Sequence, residues 1–205
     1  MKSAREKSVS SSKEIVAYLR GEKCTFQDVI NEIQNPREED LPLIDLTRKI
    51  SERRRYQDID SDIRTTFHYI EYFMSGYFLQ AYNNVSDPES KYTPVEIIRL
   101  NLNNLMDIKG MRRELEFDKR IFCCYLSHYS DALTIILRSE TPMEDWYHDT
   151  VVHEYFATQF SLEYDISAGF CYPNFPSVIS YDPDIYVNYE CERVNFDEIE
   201  SVYYG

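Results

Sequence analysis

The chain has 205 residues, of which 43% are hydrophobic, and a formal net charge of -14. This length suits one domain with a sizeable core, and the acidic balance argues against nucleic acid and anionic membranes as partners because like charges repel. No segment approaches the ~20 consecutive apolar residues of a membrane span. The five cysteines lack CxxC spacing, so we expect reduced thiols in a cytoplasmic protein.

The negative charge is concentrated in the last third of the chain. Residues 140–205 contain fourteen Asp and Glu and one basic residue, Arg193, for a net charge of -13, so the preceding 139 residues sum to -1. The same stretch contains half of the thirty aromatic residues, including nine tyrosines. Carboxylates mixed with aromatic rings favour a basic partner.

The N-terminal segments are predicted to be helical after a mobile arm. Residues 1–10 are small and polar, as in a disordered terminus. Ser11 and Glu14 have the spacing of a capping box and predict a helix that ends near Gly21.

Two further helices are predicted before the middle of the chain. Thr25 is a good N-cap for a helix over 26–34, in which Phe26, Val29, Ile30 and Ile33 share one face. The next helix is predicted from about residue 42 to about residue 56. Its predicted inward residues are Leu43, Leu46 and Ile50, and its outward residues are Arg48, Lys49, Arg53, Arg54 and Arg55.

The middle of the chain is predicted to hold the buried helices. Apolar residues recur with a helical period over 58–82 and over 117–138. Two Thr-Pro-x-Glu sequences, starting at Thr93 and Thr141, combine an N-cap, a proline at the first helical position and a capping glutamate. They predict two more helix starts.

The helical pattern ends after Tyr164. Prolines punctuate the following stretch, and apolar residues alternate over 185–191 as they do in a strand, with Pro183 favouring an edge position. The fold prediction is therefore mainly α: an irregular bundle of about six helices with a C-terminal irregular and short-β extension. The predicted divisions are an arm over 1–10, a helical domain over 11–164 and an acidic, tyrosine-rich extension over 165–205.

Histidines and cysteines offer two metal hypotheses. His128 and the pair His148-Asp149 resemble the ligands of HD-type metal-dependent hydrolases, although the residues around them do not match that pattern. A zinc site is the other hypothesis, with Cys124 and His128 four residues apart on one predicted helix. Its remaining candidate ligands are Cys123, His148, Asp149 and His153. Apart from these hypotheses, the chain has no Walker, GxGxxG or GxSxG motif, and we expect no metal and no cofactor.

The preferred hypothesis is a non-enzymatic protein-protein interaction module that presents an acidic aromatic surface to a basic partner. The scarcity of glycine and alanine is reminiscent of viral or phage accessory and assembly proteins. The basic cluster at 48–55 is interpreted as a solvated helix face or as a contact with an acidic surface of this chain or of another copy. We expect neither nucleic acid nor membrane as a partner. The candidate partner-binding residues are Tyr181, Asp182, Asp184, Tyr186, Tyr189, Glu190, Glu192, Arg53, Arg54 and Arg55.

Overall fold

Two antiparallel sheets and four helices make up the described part of the chain. The computed structural model describes residues 16–19, 22–54, 72–74, 95–101, 107–127, 132–140, 146–169, 177–178, 180–196 and 198–199. In chain order the elements are β1 (Val16–Leu19), β2 (Glu22–Thr25), α1 (Phe26–Gln34), α2 (Leu41–Arg54), β3 (Tyr72–Met74), β4 (Val95–Asn101), α3 (Ile108–Glu116), β5 (Ile121–Leu126), β6 (Ala132–Arg138), α4 (Trp146–Tyr164), β7 (Ser167–Gly169), β8 (Ser177–Val178) and β9 (Tyr186–Val187).

The larger sheet organises the core. Its order is β7-β4-β6-β5-β9, with three long central strands and a short strand at each edge. The smaller sheet has the order β2-β1-β3-β8. The prediction of a bundle of about six helices is therefore wrong, and the architecture is α+β.

The segment predicted as one helix over 117–138 is a pair of adjacent strands, β5 and β6. Its side chains are buried on both faces of the sheet, so the strands lack the alternation of apolar and polar residues that normally identifies them. Leu133, Ile135 and Leu137 pack against α3 and α4, whereas Ile136, one position out of phase, packs against α1. We call these two groups the α3–α4 cluster and the α1 cluster.

A register irregularity in β5 allows two successive side chains to enter the same cluster. Ile121 pairs with Leu137 and Cys123 pairs with Ile136, so Phe122 is an extra residue in the ladder. Phe122 and Cys123 consequently both pack in the α1 cluster. A pattern shifted by one residue in this way is easily mistaken for the period of a helix.

Three other predicted helices also contain strands. Val16–Leu19 forms β1, which pairs with β2, so the helix predicted from Ser11 is wrong over these residues. The helix predicted to start at Thr93 is wrong, because strand β4 occupies Val95–Asn101. Within the helix predicted over 58–82, Tyr72–Met74 forms strand β3. The remainder of 58–82, residues 1–10 and Thr141 lie outside the described residues. These errors share a cause, because pairing with neighbouring strands of a sheet overrides local helix signals.

Helix α1 confirms its prediction. The Thr25 side chain accepts a hydrogen bond from the Asp28 amide, and the Asp28 carboxylate accepts one from the Thr25 amide at 2.8 Å. The four predicted apolar residues are all buried. Helix α2 confirms its predicted extent within two residues. Of its predicted inward residues, Leu46 is wrong, and the side chains of Leu43 and Ile50 lie outside the described residues. Ile44 is buried, whereas Leu46 is 38% exposed and Arg48 is half-buried.

Helix α4 ends where the sequence pattern predicts. Asp165 has φ 52°, a left-handed conformation, and the Ile166 amide donates to the Ser161 carbonyl at 3.2 Å. This arrangement is the Schellman motif, which satisfies carbonyls left free at a helix end. None of the helices in the described ranges is long and apolar enough to cross a membrane.

The C-terminal residues that are described pack into the same core as the helices. Phe196 and Ile199 belong to the α3–α4 cluster, while Ile185 and Cys191 belong to the α1 cluster. Strand β9 pairs with β5 and lies at the edge of the larger sheet, as Pro183 predicts. The acidic segment is thus attached along a sheet edge, with its apolar residues directed inward.

Candidate functional site

The segment 180–192 follows the edge of the larger sheet and is held by backbone hydrogen bonds. The Asp182 amide donates to the Ile33 carbonyl of α1 at 2.9 Å. Farther along, the Asn188 amide donates to the Phe122 carbonyl at 2.7 Å and the Glu192 amide donates to the Lys119 carbonyl at 2.8 Å. These contacts give each side chain of the segment a defined position.

Asp182 is the central internal anchor of this segment. Its side chain is nearly inaccessible, and Oδ2 accepts from Arg112 Nη1 at 2.9 Å and from the Leu126 amide at 2.7 Å. Oδ1 accepts from the Asp184 amide at 3.1 Å. Three charge-assisted hydrogen bonds satisfy the buried carboxylate and join α3, β5 and the segment.

Arg112 faces several acceptors at this junction. Nε donates to Glu116 Oε1 at 3.0 Å, and Nη2 donates to the Asp184 carbonyl. Burial alone would lower the pKa of Arg112, but the Asp182 charge and the Glu116 hydrogen bond outweigh it and raise that pKa. The guanidinium therefore stays charged and holds the start of the segment against α3.

Arg48 holds the same segment from the side of α2. Its Nη2 donates to the Tyr181 carbonyl at 2.6 Å and to Ser180 Oγ at 3.2 Å. Ser180 Oγ in turn donates to the Leu126 carbonyl at 2.6 Å. Burial lowers the pKa of Arg48, with Asp45 and Asp182 opposing that effect. The first residue of the predicted basic cluster thus contacts this chain's own C-terminal segment.

The predicted partner-binding residues divide into buried and exposed groups. Asp184, Glu190 and Glu192 are exposed, and we call these three residues the acidic edge. Within the described ranges Asp184 and Glu190 form no ion pair, and Glu192 lies 3.8 Å from Lys119 with both side chains largely exposed. Asp182, by contrast, is occupied by internal contacts.

The predicted tyrosines do not form one patch. Tyr181, Tyr186 and Tyr189 are each half-buried. Tyr186 packs against the α3–α4 cluster, whereas Tyr189 packs against the α1 cluster and its hydroxyl donates to Gln27 Oε1 at 2.8 Å. Each ring therefore contributes only its accessible part to the surface.

The predicted arginines lie on α2 but are only partly described. Arg53 and Arg54 occupy the last two positions of that helix. Their side chains, and Arg55, lie outside the described residues.

A second ionic cluster, beside the acidic edge, was not predicted from the sequence. Arg120 pairs with Asp118 and with Glu163 of α4, and its guanidinium lies 4.7 Å from the centre of the Phe160 ring. The Tyr164 hydroxyl donates to Asp118 Oδ2 at 2.9 Å. Asp118 and Arg120 are two residues apart, but Arg120 and Glu163 are 43 residues apart, so no local pattern reveals the contact between the turn and α4.

The metal hypotheses lose part of their geometric basis. Cys124 lies on a strand, so its predicted spacing with His128 on one helix face is wrong. Cys123 and Cys124 pack in different clusters on opposite faces of the sheet, and burial raises the pKa of both thiols, to about 12 for Cys124. Among the residues with described positions, no group of three His, Cys, Asp or Glu could hold a metal ion.

The histidines of the hydrolase hypothesis are only partly described. His148 and Asp149 lie in the first turn of α4, while their side chains and His128 are outside the described residues. His153 is buried on the same helix.

Comparisons with known proteins identify no family. No family model, no curated protein and no solved structure matches this chain.

Proposed function

We propose that this protein is a non-enzymatic interaction module whose acidic edge binds a basic surface of another protein. The observation that carries the proposal is the placement of Asp184, Glu190 and Glu192, all exposed, along one edge of the sheet. Residues 140–205 contain a single basic residue, so the segment itself offers little neutralising charge. A basic partner would supply it.

The internal contacts beneath the acidic edge support the role of a pre-ordered binding surface and argue against a loose acidic tail. Asp182 is fixed by Arg112 and the Leu126 amide, and Arg48 binds the adjacent Tyr181 carbonyl. A surface whose backbone is already ordered loses little conformational entropy when a partner binds. This anchoring presents the exposed carboxylates in a fixed arrangement.

The half-buried tyrosines add apolar contact area beside the carboxylates. Tyr189 is held by Gln27 and by an edge contact with Phe122, whose ring centre is 6.0 Å away. Tyrosine supplies contact area at low entropic cost, and carboxylates provide steering and specificity. We propose a cytoplasmic location for this interaction, which the cysteine pattern favours.

The test compares two variants that remove equal charge at different places. Asp184→Asn with Glu190→Gln alters the acidic edge, whereas Glu38→Gln with Glu39→Gln removes two exposed carboxylates from the turn before α2. The probe is a lysine-rich peptide of about twelve residues without apolar side chains, titrated by calorimetry. We expect the acidic-edge variant to weaken binding about fivefold, and the turn variant to change it less than twofold.

Salt dependence provides the second measurement. Binding at the acidic edge should weaken when ionic strength rises from about 50 to about 300 mM, because salt screens the attraction between exposed charges. Equal losses in the two charge variants would show attraction to net charge alone and would overturn the proposal. Absence of peptide binding at low salt would overturn it as well.

A further inference from the structure

Two large apolar side chains are left exposed close to the acidic edge. Phe117, at the C-terminal end of α3, is 86% exposed, and Leu162 on α4 is 75% exposed. Among the described residues, Leu46 is the only other large hydrophobic residue that is exposed. An exposed phenylalanine contributes little to folding, but its burial by a partner would contribute to binding.

The ionic cluster of Arg120 connects the two exposed side chains. Asp118 follows Phe117 directly, and Glu163 follows Leu162 directly. Arg120 pairs with both carboxylates, and Tyr164 also reaches Asp118. The turn after α3 and the last turn of α4 are therefore fixed side by side, with one large apolar side chain on each.

This pair is continuous with the acidic edge. The Lys119 carbonyl accepts from the Glu192 amide at 2.8 Å, and Lys119 lies two residues after Phe117. Glu192 of the acidic edge is therefore attached to the turn that carries Phe117, and Arg120 attaches that turn to the end of α4. We call Phe117 and Leu162 the apolar anchors.

The charges around the apolar anchors indicate the chemistry of the occupant. Glu114 lies three residues before Phe117 and Asp165 lies three residues after Leu162, and both are exposed. Two exposed cations, Arg113 and Lys119, also lie near Phe117, and Lys119 is 3.8 Å from Glu192 of the acidic edge. The three carboxylates of the acidic edge therefore carry most of the attraction for a basic partner. A second copy of this chain would carry its own net charge of -14 against this surface. A basic segment complements the charges, and its own apolar side chains would cover the anchors.

We propose that the acidic edge and the apolar anchors form one docking surface for a basic segment of another protein that carries large apolar side chains. This inference rests on the proposed function and specifies its partner. The carboxylates would bind the Lys or Arg residues, and Phe117 and Leu162 would pack against the apolar residues. Attraction by charge and burial of the anchors are separable contributions, so each has its own test.

Three peptides of about twelve residues separate the contributions. The first alternates Lys with Leu, the second has Ser in place of every Leu, and the third has Glu in place of every Lys. We expect the Lys-Leu peptide to bind about tenfold more tightly than the Lys-Ser peptide, because only the former covers the anchors. The Glu-Leu peptide should not bind measurably, because like charges repel.

A matched variant locates the apolar contribution. Phe117→Ser with Leu162→Ser should remove the tenfold advantage of the Lys-Leu peptide while leaving Lys-Ser binding unchanged. Leu46→Ser is the control, since α2 contacts the end of β5 opposite to the turn that carries Phe117. Because all three side chains are exposed, we expect the variants to fold, with thermal midpoints close to the parent protein.

Amide shifts in the NMR spectrum of the unaltered protein give a measurement that needs no variant. Both basic peptides should shift the resonances of Asp184 and Glu190, and only the Lys-Leu peptide should also shift those of Phe117 and Leu162. Equal affinity for both basic peptides, or retention of the advantage in the double variant, would overturn this inference and leave the proposed function standing. Failure of both basic peptides to bind would overturn both.

Discussion

The Arg112 guanidinium lies 2.9 Å from the buried Asp182 carboxylate and joins α3 to the C-terminal segment across 70 residues of sequence. The same carboxylate oxygen accepts from the Leu126 amide, so one acidic side chain fixes a helix, a strand and the acidic edge. Most carboxylates with described side chains in this region face solvent, whereas Asp182 is buried and has a structural role. This separation of roles leads to the first prediction.

Asp182→Ala should destabilise the fold strongly. It removes the acceptor for Arg112 and for the Leu126 amide, and breaking a buried pair costs about 3 kcal/mol in the free energy of unfolding. Asp182→Asn should lower the free energy of unfolding by less, because the amide oxygen still accepts a hydrogen bond. Urea unfolding measures both. Asp184→Asn is the exposed control and should stay within about 0.5 kcal/mol of the parent; an Asp182→Ala loss of that small size would contradict the structural role.

Arg48→Ala should loosen the attachment of the segment to α2. It removes hydrogen bonds to the Tyr181 carbonyl and Ser180, and the loss should be about 2 kcal/mol in urea unfolding, as for other bonds from charged donors. Hydrogen exchange at the Asp182 amide should also become faster. Lys49→Ala, at the exposed neighbouring position, should change neither measurement. Equal effects at positions 48 and 49 would indicate a general helix effect instead.

Asp165→Gly should stabilise the protein by about 0.5 to 1 kcal/mol. Asp165 has φ 52°, where a side chain carries a steric cost that glycine avoids. Thermal unfolding measures the gain. Asp165→Ala is the matched control: it removes the same carboxylate but keeps a Cβ, so it should give no gain. Equal stabilisation by Gly and Ala would mean that charge, not backbone conformation, causes the effect.

Asp118 should contribute stability that depends on pH. Burial alone would raise its pKa, but hydrogen bonds from Arg120 and Tyr164 outweigh burial and hold the pKa below 3.8. Because the folded pKa is below the unfolded one, the stabilisation is present above about 3.8 and is lost as pH falls through the folded pKa. The stability difference between the parent and Asp118→Asn should therefore shrink in urea unfolding below that pH. A difference that stays constant from pH 7 into this range would contradict the assignment.

The cysteines of the described residues should react slowly with alkylating agents in the folded protein. Burial, and then Asp28, raises the pKa of Cys24 to about 11, and Cys123 and Cys124 are fully buried. Because the thiolate is the reactive form, at pH 8 only about one Cys24 in a thousand would be reactive. Mass spectrometry of alkylated peptides, with and without urea, checks this. Labelling of Cys123 at the same rate in both conditions would contradict the fold.

Local sequence signals predicted part of this protein well. Thr25 and Asp28 are three residues apart, and both hydrogen bonds of their capping box form within that span. The end of α4 at Tyr164 and the edge position of β9 likewise follow from residues close in sequence. The charge division and the absence of catalytic motifs are also properties of the sequence alone.

The sheet and the roles of individual charges depend on contacts between distant residues. Strands β5 and β6 are buried on both faces, so their apolar runs carry no strand period, and they are defined by pairing with each other and with β4 and β9. Asp182 and Asp184 have the same side chain two positions apart, yet one is buried and the other exposed. The sequence by itself determined where the negative charge lies. The tertiary structure decided which carboxylates remain available, because a buried carboxylate needs a positive partner and Arg112 comes from another part of the chain.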